Sequence, residues 1–245
     1  SLSLNALADW VDASLDLDQL RALAVPLSEA PAAVSVASSA EAASAKRARP
    51  LRVALAWDEA LWFMYQANLE LLAVCGVETL RFSPLCDALP ADVDLVWLPG
   101  GYPESMAARL SANVALREDL RAFVAKGGRV FAECGGLMLL VETLIDSDEQ
   151  SYPMLGLLPG VVRMTASPTL RYVELRRPAD CPAAAAFPPP GPGARGHRFH
   201  FSEWDREAEL CAISPLYESS AADGQRRREG IRLGSILASY IHIHL

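Results

Sequence analysis

From Leu51 onward, short runs of consecutive apolar residues are set off by glycine, proline or charge, with apolar positions at helical spacing between them. Leu51-Arg52-Val53-Ala54-Leu55-Ala56-Trp57 reads as a buried parallel strand, because covered parallel strands lack the alternation of half-exposed ones. A helix is predicted over Met64 to Cys75, closed by Gly76, and a second strand over Val77 to Phe82. A third strand, Asp94 to Leu98, runs into Pro99-Gly100-Gly101-Tyr102-Pro103-Glu104, after which helical spacing continues to about Ala125. Gly127 and Gly128 cap that helix, and Arg129-Val130-Phe131-Ala132 forms a fourth strand that meets the apolar helix Leu137 to Val141 at Glu133-Cys134-Gly135-Gly136. Strand and helix alternate, which predicts an α/β fold on a flavodoxin-like, open and mostly parallel sheet with helices on both faces.

After Ile145 the runs shorten and alternate. Val161 to Met164 and Tyr172 to Leu175 are read as separate antiparallel strands added to that sheet. Pro178 to Gly196, dominated by proline, alanine and glycine, is read as a surface insertion. Gly196-His197-Arg198-Phe199-His200-Phe201-Ser202 follows, then a polar, charged stretch, then a closing strand from Gly234 to His242. At the other end, Leu2 to Leu23 carries leucine and alanine at helical spacing, and the following segment up to Pro50 is rich in alanine, serine and proline. The domains expected are a helical piece over 1–25, a linker over 26–50 and the α/β domain over 51–245.

A chain of 245 residues with 51% hydrophobic and 21% charged side chains has enough apolar material for one large α/β domain and a substantial core. The net charge of −8 argues against nucleic acid as a partner. No run reaches the ~18 apolar residues of a membrane span, so no membrane is expected. The five cysteines are dispersed and form no CxxC pair, which points to a reducing cytoplasm rather than to disulfides or a zinc site.

Cys134 sits where a strand should turn sharply into a helix, the setting of a nucleophile elbow. A small residue must follow such a nucleophile, and Gly135 and Gly136 supply it. The backbone N–H there and the start of the helix can stabilise a thiolate and an oxyanion. A buried structural cysteine is the other reading of this segment. A nucleophilic thiol needs a base, and the four histidines fall in two pairs, His197 with His200 and His242 with His244. The His-x-His pair also has the spacing of metal ligands, with Glu203 or Cys134 as conceivable companions, although no carboxylate or thiolate cluster stands beside it. The chain itself is therefore expected to hold no metal. Gly100 and Gly101 allow the backbone to approach a ligand closely and to offer N–H groups to an oxyanion.

Five stretches taken together resemble the glutaminase half of the cobyrinate or hydrogenobyrinate a,c-diamide synthases: Asp58-Glu59-Ala60 with Tyr65 and Asn68-Leu69-Glu70; Pro99 to Glu104; Ala132 to Met138; Gly196 to Ser202; and Ser239-Tyr240-Ile241-His242. They occur in that family's order over about residues 51–245. The resemblance implies a class I glutamine amidotransferase fold that hydrolyses glutamine and passes ammonia to an ATP-dependent ligase, which amidates the a and c carboxylates of a corrin precursor of vitamin B12. Cys134 then corresponds to the nucleophile, His242 to the general base, and the backbone at Gly101 and Gly135 to the oxyanion donors. Tyr102 and Glu104 correspond to candidates for binding the polar ends of glutamine, with His200 and His244 as auxiliaries. Residues 1–25 look like the tail of the ligase domain, the partner that would use ATP and Mg2+ and bind the corrin. No G-x-x-x-x-G-K-[ST] phosphate loop occurs in this chain. A homodimer is compatible with this reading.

Three departures stand out. His244 occupies the place of the carboxylate that orients the base in related amidotransferases, Arg198 stands where the family tends to have Glu, and Pro99 precedes a glycine pair where the family often has a third glycine. The alternative function is a non-catalytic, amidotransferase-like docking or regulatory module of a ligase, with an idle Cys134.

Overall fold

The structure is a computed structural model and describes residues 3–23, 49–176, 178, 194–221 and 224–244. The chain divides into two units, Ser1–Val36 and Ala37–Leu245. In the first, α1 (Leu4–Ser14) starts at Ser3, whose hydroxyl accepts from the Ala6 N–H, and α2 is Leu17–Leu23. Neither helix buries a residue. The segment 26–50, expected to be a linker, lies almost wholly outside the described residues.

The second unit is built on the predicted strands. β1 (Arg52–Ala56) is fully covered, and its alternate side chains separate two cores. Val53 and Leu55 pack with Trp97 against Leu69 and Leu72 of α3 (Gln66–Val74). Ala54 and Ala56 face the opposite core. Between β1 and α3 lies β2 (Leu61–Phe63), which the sequence did not announce. β3 (Glu78–Phe82) and β4 (Leu95–Leu98) flank β1 in parallel, and β5 (Gly100–Gly101) pairs with β2. A 3-10 turn at Pro103–Met106 leads into α4 (Ala107–Ala112) and α5 (Val114–Ala125), where Asn113 caps α5 by accepting from the Leu116 N–H. β6 (Arg129–Glu133) pairs in parallel with β4, and α6 (Gly135–Leu140) follows it at once. Leu116 and Leu120 of α5 and the whole apolar length of α6 cover the core opposite α3, so helices lie on both faces.

β7 (Thr143–Ile145) and β8 (Ser151–Pro153) form a small hairpin beside β9 (Val161–Arg176). The two segments expected on either side of Pro168 are one continuous strand. It survives because β10 (Arg195–Trp204) jumps register opposite it: His200 faces Thr169 while Ser202 faces Met164, leaving Thr165 to Pro168 without a partner where proline has no N–H to give. Most of the Pro178–Gly196 insertion lies outside the described residues.

The polar stretch after Ser202 holds α7 (Glu207–Ile213), β11 (Pro215–Ser220) and β12 (Arg226–Leu233). The predicted closing strand is in fact two, β13 (Ile236–Ser239) and β14 (Ile241–His244), parted at the fully buried Tyr240. Ser239 Oγ accepts the Ile241 N–H, which turns the chain out of its β6 pairing and across to β10. The sheet order is β14-β10-β9-β11-β12-β13-β6-β4-β1-β3. Parallel pairing runs from β13 to β3, and the antiparallel additions occupy the other half.

The core at β1 predicts a stability cost. Leu55 is fully buried between β1 and α3, and Leu55→Ala should lower unfolding stability by about 2–5 kcal/mol through lost burial and the cavity left behind, read from the urea midpoint at unchanged slope.

Candidate active site

Cys134 occupies the elbow between β6 and α6 with φ 46° and ψ −104°, a conformation that costs a non-glycine residue of order 1–3 kcal/mol. Pairing on both sides holds it there. Its N–H donates to the Ser239 carbonyl at 2.7 Å, and its own carbonyl accepts from the Met138 N–H at 3.1 Å. A side chain at Gly135 would come within 2.9 Å of the Gly101 nitrogen and oxygen, so glycine is required there by close approach. The same closeness brings the β5 loop and the start of α6 together around the sulfur, and the Gly135 N–H favours the thiolate.

The thiol is nevertheless neutral. Burial pushes Cys134 up to about 12, the Gly135 N–H pulls it down, and the carboxylates of Glu104 and Glu133 add to the rise. Sγ donates to the Phe199 carbonyl at 3.3 Å, and no hydrogen bond joins it to an imidazole among the described residues.

His242 lies on β14 directly opposite His197 of β10. The two rings stack at 4.7 Å, and Phe63 presents its edge at 4.7 Å. A Cβ on Gly100 would sit 2.1 Å from Cε1 of His242, so only glycine leaves room for this ring. Burial, then the neighbouring His197 and His200, hold His242 down at about 3, which keeps the ring neutral at pH 7. Nδ1 is buried with no hydrogen-bond partner among the described residues. The place where a carboxylate would orient the base goes to His244, which is exposed and meets the edge of Tyr65. Tyr65 also bonds Nδ1 of His197 at 2.7 Å.

A narrow cleft opens over the thiol, lined by Gly101, Tyr102, Glu104, Met138 and His200 among others. His242 is not in its lining but rests on Gly100, beside the lining Gly101. Glu104 is raised by burial, and Tyr102 is exposed and packs near Trp62. Both line the cleft.

His200 reaches the cleft, but both of its nitrogens are engaged. Nε2 accepts from Arg198 Nε at 2.8 Å and Nδ1 lies 2.8 Å from the Ser202 carbonyl, which fixes a neutral ring that burial, then the charge of Arg198, depresses to about 4. Its face stacks on Tyr240 at 3.8 Å. Arg198, a departure in the motif, has compensating partners. It bonds Glu229 and Glu207, each at 2.7 Å, and although burial opposes its charge the two carboxylates raise its pKa.

Sequence reasoning did not assign roles to Glu133, Asn68 and Phe63. Glu133 is buried between two donors, with Oε2 accepting Trp97 Nε1–H at 3.1 Å and Oε1 accepting the Ile243 N–H at 2.8 Å. Asn68 Nδ2 donates to the Ile243 carbonyl at 2.8 Å. The available signal was a lone carboxylate closing an apolar strand, since such a group is rarely buried without partners.

Residues 52–245 match the model of the CobB/CobQ-like glutamine amidotransferase domain. A cobyrinate a,c-diamide synthase of Syntrophotalea carbinolica is 39% identical over 100% of this chain and 52% of its own length. A hydrogenobyrinate a,c-diamide synthase of Pseudomonas aeruginosa is 41% identical over 98% of the chain and 51% of its own length. The chain thus spans about half the length of these curated relatives. Among solved structures, PurLQS of Thermotoga maritima superposes with a TM-score of 0.51 at 17% identity, covering 79% of this chain and 87% of that one. A crystal structure of a glutamine amidotransferase gives 0.50 at 18% identity, covering 78% and 89%. At those identities the likeness concerns the fold, and it agrees with the α/β sheet described above.

A neutral resting thiol has a direct consequence. Alkylation of Cys134 by iodoacetamide, followed on its own peptide by mass spectrometry, should be slow at pH 7 and rise about tenfold per pH unit up to pH 10. A rate plateau already reached near neutrality would instead reveal a paired thiolate.

Proposed function

The chain belongs to the family of CobB/CobQ-like glutamine amidotransferase domains, and from that premise we propose that it is the glutaminase half of an ATP-dependent corrin a,c-diamide synthase. The observation that carries the proposal is Cys134 held at φ 46° on a strand-to-helix elbow, with the Gly135 N–H at the sulfur and the Gly101 backbone beside it. In this reading residues 51–245 form the amidotransferase domain, 26–50 a linker and 1–25 the tail of the ligase domain.

Glutamine enters the cleft with its polar ends on Tyr102 and Glu104. The Cys134 thiol leaves the Phe199 carbonyl and gives its proton to His242, and the sulfur attacks the side-chain carboxamide carbon. The N–H groups of Gly101 and Gly135 hold the oxyanion, a contribution of roughly 3–4 kcal/mol per donor in comparable sites. Collapse of the intermediate expels the amine, which takes the proton from His242 and departs as ammonia, leaving a thioester on Cys134. Water then gives a proton to His242 and its hydroxyl to the acyl carbon, and the returning proton frees the thiol and glutamate. The ammonia passes to the ligase half, which amidates the a and c carboxylates of cobyrinate or hydrogenobyrinate in cobalamin biosynthesis. ATP and Mg2+ belong to that half in this reading, and this chain's sequence carries no G-x-x-x-x-G-K-[ST] phosphate-loop motif. A reducing cytoplasm suits a reaction that depends on a free thiol.

The thiol at about 12, bonded to a carbonyl rather than to an imidazole, favours a second reading, in which the domain docks on or regulates a ligase without turnover.

Ammonia release from glutamine, measured with and without the ligase half, separates the two. Turnover should fall at least about 10³-fold in Cys134→Ala, and a diazoketone analogue of glutamine should add covalently to Cys134 in the wild-type chain. Ammonia release that persists in Cys134→Ala, or absence of the adduct even with the ligase half and ATP present, would refute catalysis and leave the docking module.

A further inference from the structure

Among the described residues no carboxylate bonds the His242 ring, and its Nδ1 is buried without a hydrogen-bond partner. The peptide that leaves it is held instead. The Ile243 N–H donates to Glu133 Oε1 at 2.8 Å, and the Ile243 carbonyl accepts from Asn68 Nδ2 at 2.8 Å. β14 stands at the end of the sheet order, so among the described residues one side of its backbone has no neighbouring strand. These two side chains satisfy that open side at Ile243. Glu133 immediately precedes Cys134, and Ile243 immediately follows His242. One hydrogen bond therefore connects the residue next to the sulfur with the residue next to the imidazole.

We propose that Glu133 and Asn68 are positioning residues, which clamp the Ile243 backbone and so set the His242 ring relative to Cys134 in place of a carboxylate on the ring itself. The inference rests on the amidotransferase reading for its kinetic consequence. The clamp has two sides from different elements, β6 and α3, so neither the sheet nor the helix alone fixes the strand. Glu133 is ideal as an acceptor at this place because two donors converge on it, and both pull its pKa down against the burial that lifts it to about 7. The ring is then confined by the His197 face, the Phe63 edge and Gly100. An error of about 1 Å in such a placement can cost roughly 10²-fold in rate.

The test is steady-state glutamine hydrolysis by this chain with the ligase half supplied. Glu133→Leu removes the acceptor at similar volume and should lower kcat about 10²-fold with KM within about threefold. Trp97→Phe deletes the other donor on Glu133 and should leave kcat within about threefold. In Glu133→Gln with Trp97→Phe the amide oxygen can accept the Ile243 N–H again, and most of the loss should be recovered. An unchanged kcat in Glu133→Leu, or no recovery in the double variant, overturns the proposal. If Glu133→Leu fails to fold, Asn68→Ala must show the same fall in kcat at unchanged KM, and its absence overturns the clamp equally. Should the wild-type chain release no ammonia, the amidotransferase reading fails by itself. The clamp is then decided by NMR, where the His242 ring shifts must move and Ile243 amide protection must drop in Asn68→Ala or Glu133→Leu, and unchanged signals refute it.

Discussion

The backbone of Cys134 can stay at a positive φ only because its neighbours leave it no alternative. β6 is locked between β4 and β13, the Cys134 N–H is taken by the Ser239 carbonyl, and α6 begins on the next residue. The strain of order 1–3 kcal/mol is stored in a central strand of a sheet covered on both faces, where the surroundings can sustain it. Gly101 and Gly135 approach each other because of that turn, and the cleft exists because of their approach. The same Ser239 whose carbonyl anchors the elbow also turns the chain at Tyr240 and sends the histidine strand to β10.

The resting site is electrically quiet. Thiol and imidazole are both neutral, the first raised to about 12 and the second lowered to about 3, and burial is the leading cause of each. Charge is concentrated one layer away, where Arg198 is neutralised by Glu207 and Glu229 under Tyr240. Ionising the thiol requires something to enter the cleft, break its bond to Phe199 and bring donors to bear.

The parallel half of the sheet was legible because covered strands and amphipathic helices leave the clearest periodic signals, and the Cys134 elbow was legible because a tight turn demands glycine after it. β2, β7 and β8 were not, since pieces of three residues carry too few alternations to rise above polar background, and β11 and β12 were not because their runs are dominated by polar and charged residues. Val161 to Met164 and Tyr172 to Leu175 read as two segments and are one strand that passes a register jump in its partner; Tyr240 read as interior to one strand and is the corner between two. The first error arises from a partner distant in sequence, the register jump in β10, and the second from a local hydrogen bond that periodicity does not register, the Ser239 hydroxyl accepting the Ile241 N–H. The buried carboxylate of Glu133 was visible in its motif but silent about its role, because its two donors come from β4 and β14.

The two halves of the candidate site belong to parts of the sheet with very different resistance to opening. Cys134 hangs from a strand with neighbours on both sides, whereas His242 rides on the terminal strand of the sheet, paired on one side only. Native proteins open locally from such edges at a free energy well below that of global unfolding. His242 can therefore be detached and returned while the elbow and core remain intact, so that loss of any activity that needs this imidazole under mild denaturation would precede, and be separable from, loss of the fold.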